Sequence, residues 1–104
     1  MSRRQPMERI GDLLPEAARA LGLEAELRLA RATSVWAALV AERVPPAAGG
    51  CRLLEISGGA VLVEADEPII AQELRLRSTE LLAAFSAAPG GVAARDLRIR
   101  VRRV

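Results

Sequence analysis

In Arg52-Leu53-Leu54-Glu55-Ile56-Ser57-Gly58-Gly59-Ala60-Val61-Leu62-Val63-Glu64-Ala65, two apolar-rich runs flank a pair of glycines. A Gly-Gly pair supplies the positive φ that both central positions of a tight hairpin turn require. Arg52–Ser57 and Ala60–Ala65 are therefore expected to form two antiparallel strands. In the second, Val61, Val63 and Ala65 point one way while Leu62, Glu64 and Asp66 point the other.

Upstream, Met7, Ile10, Leu14, Ala17, Ala18 and Leu21 recur every three or four residues, which is a helical stripe. Pro15 lacks a donor and clashes with the preceding turn, so the helix is expected to kink there or to start afresh. Gly22 suits a helix end. A second helix is expected from Leu23 to about Arg43, with Leu29, Ala32, Trp36, Leu39 and Val40 on one face, and Pro45-Pro46 stops it.

Downstream, Asp66-Glu67-Pro68 combines a capping side chain, acid at the positive end of the dipole and a first-turn proline. A third helix is expected to run from there to Pro89-Gly90-Gly91, with Ile70, Leu74, Leu81 and Phe85 inward. Asp96 to Val104 then alternates Leu97, Ile99 and Val101 with Arg98, Arg100 and Arg102, the pattern of a half-buried strand.

The expected order is ααββαβ: a two-layer α+β sandwich with a three-stranded sheet, close to that of a KH-type module. Residues 1–6 read as a basic arm and 7–104 as one domain, in keeping with a chain of 104 residues. The expected core is Leu14, Leu21, Trp36, Leu39, Val40, Val61, Val63, Leu74, Leu81 and Phe85.

The residues that are missing exclude most catalytic classes. The sequence has no His, Lys, Tyr or Asn and a single cysteine, Cys51. Ser-His and Cys-His pairs lack their base, and a Schiff-base or phosphate-loop lysine is absent. The usual structural zinc ligands cannot be assembled either. No enzyme activity, cofactor or metal is expected. Glu64, Asp66 and Glu67 read as a solvated strand face plus a helix cap rather than a cation site. The longest apolar run, Val35 to Ala41, is far short of the roughly 18–20 residues a membrane span needs. No secretory h-region follows Met1, and one cysteine forms no internal disulfide, so a cytoplasmic location is expected.

All fifteen cations are arginine, and they gather at the ends. Residues 95–104 hold five arginines and one aspartate, and residues 1–9 hold three arginines and one glutamate, whereas the middle of the chain is net acidic. Such asymmetry points to an anionic partner. Arg98, Arg100 and Arg102 form the main candidate nucleic-acid contact, joined by Arg95, Arg103, Arg3 and Arg4. The rival reading is a charged edge that blocks aggregation. Trp36 reads first as core and second as a partner contact. With Trp36 and Phe85 the only aromatics, stacking platforms are scarce, and binding is expected to be weak and governed by the phosphate backbone. Gly58-Gly59 and Gly90-Gly91 read as turns, and the GxxG grip of KH modules is missing.

Trp36-Ala37-Ala38-Leu39-Val40-Ala41 is similar to the Trp-x-x-Ile/Leu-Val-Gly signature of the DciA family of bacterial replicative-helicase loaders. After a glycine-containing hairpin and a Val-x-Val strand (Val61, Val63), that family continues with Ala-Gln-Glu-Leu, here Ala71-Gln72-Glu73-Leu74. It closes with a strand of alternating apolar and basic residues, as in Leu97 to Val104. Ala41 stands where glycine is usual, and Ile70 where a second tryptophan is frequent. The resemblance implies a KH-like domain that contacts DNA and helps place a hexameric DnaB-type helicase on it. The alternative expectation is a stand-alone KH-like RNA-binding module.

Overall fold

The computed structural model describes residues 4–103, with side chains from residue 15 onward. Helix α1 spans Arg4–Arg43 and is followed by a short 3-10 turn, Pro45–Ala47. Strands β1 (Cys51–Ser57) and β2 (Ala60–Ala65) come next, then helices α2 (Pro68–Leu76) and α3 (Ser78–Ala87), and last strand β3 (Asp96–Val101). The architecture is α+β with one three-stranded sheet, and the observed order is αββααβ.

Two helical expectations change. The helices expected on either side of Gly22 are one helix of 40 residues with Pro15 inside it. Gly22 is not among the glycines with positive φ, so it continues the helix instead of capping it. The cause lies in the surroundings: every residue from Pro15 to Glu24 is exposed, so no burial rewards a turn at Gly22. The run Glu24 to Arg31 consists of strong helix formers. The helix expected after Asp66 is instead two, divided at Arg77, whose φ of −108° and ψ of 14° leave the helical region. The break lets α2 lie against β2 and β3 while α3 turns to pack on α1. Ser78-Thr79, residue types favoured at helix starts, was the available sequence signal.

The hairpin forms as expected. Gly58 (φ 57°) and Gly59 (φ 78°) both occupy the left-handed region that a two-residue turn needs. β2 then pairs with β3 in parallel. Parallel neighbours need a crossover, and α2 with α3 supplies it. The strand order is β1-β2-β3, and β3 ends at Val101, earlier than the expected Val104. One further backbone bond, from Arg102 N to Ala65 O at 2.7 Å, prolongs the ladder.

Ala32, Trp36 and Val40 recur every four residues on α1 and, with Val44 just past its end, meet Leu53, Val61 and Val63 of the sheet and Leu74, Leu81 and Phe85 of α2 and α3. Trp36 and Phe85 pack edge to face, with ring centroids 5.6 Å apart. Seven of the ten expected core residues are buried, and Leu39 is partly buried against the cluster. Leu21 is a correction: it is 65% exposed, because α1 runs past the end of the body before reaching it. The side chain of Leu14 lies outside the described residues.

Candidate nucleic-acid interface

The helices cover one face of the sheet and leave the other open. On β3, Leu97, Ile99 and Val101 pair with the inward-facing Val61, Val63 and Ala65. Arg98, Arg100 and Arg102 accordingly project from the open face, with side chains 71%, 61% and 61% exposed. The expected arginine row exists as a row.

It is not a row of free cations. Arg98 Nε lies 3.4 Å from Asp96 Oδ2, and Arg100 Nη2 lies 3.4 Å from Glu64 Oε2. Arg102 Nη1 lies 3.9 Å from Asp66 Oδ1. The one acid of β2, Glu64, shares the open face with the arginines, since it is the register partner of Arg100.

A fourth arginine enters from the opposite strand. Arg52 of β1 donates from Nη1 to Glu64 Oε1 at 2.6 Å and from Nη2 to Asp66 Oδ1 at 2.7 Å. One guanidinium fork thus spans both carboxylates, and Asp66, then Glu64, raises the Arg52 pKa further above its ordinary value. Glu64 and Asp66 are the less exposed members of the cluster, with side chains 17% and 33% exposed.

Sequence reasoning missed Arg52 because of a β-bulge. A regular two-residue hairpin through Gly58-Gly59 would place Arg52 opposite the inward Ala65. The register instead shifts between Leu53 and Glu55, so Leu53 faces Val63 and Arg52 faces Glu64. A one-residue slip moves each side chain to the other face. Leu53 thereby enters the core and Arg52 reaches the open face. The Leu53-Leu54 doublet, which breaks apolar–polar alternation, was the only hint.

The other candidates scatter. Arg95 sits by the hairpin turn, where its backbone N–H donates to Gly59 O at 2.8 Å. Arg103 lines a shallow depression with Arg102, Asp66 and Glu67 at the far end of β3. Arg3 and the side chain of Arg4 lie outside the described residues, although α1 begins at Arg4, within the expected arm. Trp36 is a correction as a partner contact, because it is fully buried and offers no surface. The α2–α3 junction, Leu76-Arg77-Ser78, contains no glycine with which to clamp a nucleic-acid backbone. Among the described residues, no three Cys or acidic side chains converge on a metal-sized site.

The family profile described as "Dna[CI] antecedent, DciA" matches residues 9–99. The chain belongs to the DciA family. Within this DciA-family chain the match takes in the buried Trp36 helix, the hairpin, α2, α3 and most of β3, so the elements that build the open face are family elements. No curated protein matches the chain. No helix among the described residues is long and apolar enough to cross a membrane.

Proposed function

We propose that this DciA-family chain is a non-enzymatic replication adaptor, which holds DNA on the open sheet face and recruits or loads the DnaB-type replicative helicase. The observation that carries the DNA contact is the placement of Arg98, Arg100 and Arg102 on one exposed face. They span about 13 Å at roughly 3.3 Å per residue, enough to track several phosphates. Their ion pairs with Asp96, Glu64 and Asp66 are of the exposed kind, worth only about 0–1 kcal/mol each, so phosphate can displace them. Contacts of this kind fix the protein on the backbone and read no sequence. Having no nucleotide-binding motif, the chain works by binding two partners at once.

Two measurements test the reading. Co-purification with the replicative helicase of the source organism is expected, with or without DNA, and absence of association in both conditions removes the adaptor role. For DNA, three to five phosphate contacts give a slope of log K against log salt of about −2 to −4.5. The triple variant R98Q/R100Q/R102Q is expected to stay folded on Leu97, Ile99 and Val101 and to flatten that slope by about 2–3. A folded triple variant with an unchanged slope shows that the row does not bind DNA.

A further inference from the structure

Glu64 lies on the central strand and Asp66 directly follows its last residue, with arginines on both sides competing for them. From the β1 side Arg52 holds them at 2.6 and 2.7 Å. From the β3 side Arg100 and Arg102 approach only to 3.4 and 3.9 Å. We propose that Arg52 is a positioning residue that engages Glu64 and Asp66 itself and so leaves Arg100 and Arg102 available to phosphate.

The proposal rests on the reading that the β3 arginines contact DNA. A carboxylate is the intramolecular counterpart of a phosphate oxygen, since both take an arginine fork in the plane of its N–H groups. Left to themselves, Glu64 and Asp66 would occupy the donors that a phosphate needs. The five side chains carry one net positive charge, and without Arg52 they carry none. Arg52 stands two strands from β3, roughly 9.5 Å away at the usual strand spacing, so it acts on DNA through the carboxylates and not by touching the phosphates on β3. Only arginine suits this place, because the ammonium of a lysine is a point charge that cannot span two carboxylates in a fixed fork.

The test is a mutant cycle read by fluorescence anisotropy with a labelled oligothymidylate, folding being checked by circular dichroism. R52Q is expected to weaken binding about threefold, the range of exposed ion-pair energies. E64Q/D66N is expected to tighten binding, and adding R52Q to E64Q/D66N is expected to change nothing further. This non-additivity separates an indirect effect from a contact. An equal loss in both backgrounds makes Arg52 a phosphate ligand in its own right and overturns the proposal, as does no loss in the wild-type background. If R52Q does not fold, R52K keeps the charge and loses the fork, and its affinity is expected to fall between wild type and R98Q/R100Q/R102Q. An R52K affinity equal to wild type overturns the proposal. The R98Q/R100Q/R102Q variant is measured alongside: unchanged affinity there overturns the interface reading first, and the role of Arg52 with it.

Discussion

Trp36 is fully buried, and its indole N–H has no hydrogen-bond acceptor in proper geometry. Burial pushes the Cys51 thiol pKa up, outweighing the opposite pull of Trp36 and Arg52. Two expectations follow from the pair. Trp36→Ala removes a large core side chain and is expected to cost about 3–5 kcal/mol in chemical denaturation. Trp36→Phe deletes the same unpaired donor but leaves a smaller void, so its loss is expected to be well below that of the alanine variant. Equal losses for the two would show that a phenyl ring does not refill the space the indole leaves. For Cys51, a raised pKa keeps the thiolate scarce at neutral pH, and native protein is expected to react with a thiol reagent far more slowly than unfolded protein. Fast reaction of the folded chain at pH 7 would contradict the burial argument.

At the level of elements, what could be read from the sequence divides along one line. Elements defined by local chemistry were legible: the Gly58-Gly59 turn, the alternation of Val61, Val63 and Ala65, and the arginine alternation of β3 follow from steric and periodic rules within a few residues. Features set by tertiary context were not. The bulge that turns Arg52 outward depends on which of Leu53 and Leu54 the core accepts, and the break at Arg77 depends on where α2 and α3 must lie. Pro15 and Gly22 mark helix boundaries only when something nearby rewards a turn, and along the exposed part of α1 nothing does. Gly22 gives a direct check. A Cβ there meets nothing within 4 Å, so Gly22→Ala is expected to gain about 1 kcal/mol of local helix stability. Because the surrounding residues make no core contact, the gain is expected as slower hydrogen exchange in residues 15–31, with little change in global Tm. A rise in Tm without slower local exchange would place Gly22 in the cooperative unit.

The whole molecule measures 63 × 33 × 19 Å, and its long axis matches the roughly 60 Å of a 40-residue helix. It is a body with a rod. Among the residues whose side chains are described, every buried one, from Ala32 to Phe85, belongs to the body, whereas the rod carries Leu21, Leu23 and Leu27 in solvent. Where the rod leaves the body, Ala25, Arg28 and Leu29 border a groove with Ile56 and Val92. Helices without tertiary support are marginal in water when short, so the rod owes its order to continuity with the anchored turns of Ala32, Trp36 and Val40. Order passes from body to rod, and the body gains little in return. Removing residues 1–24 is therefore expected to lower the helical circular-dichroism signal while Tm stays within about 4 °C, the shift that 1 kcal/mol produces in a domain of this size. The open sheet face lies wholly in the body, so the truncated chain is also expected to keep its DNA affinity to within the contribution of Arg3, Arg4, Arg9 and Arg19. A collapse of Tm on truncation would show that the rod stabilises the body, contrary to the exposure of residues 15–24. If Tm holds but the salt slope falls by more than those four charges explain, the rod is part of the DNA surface and the sheet is not its whole extent.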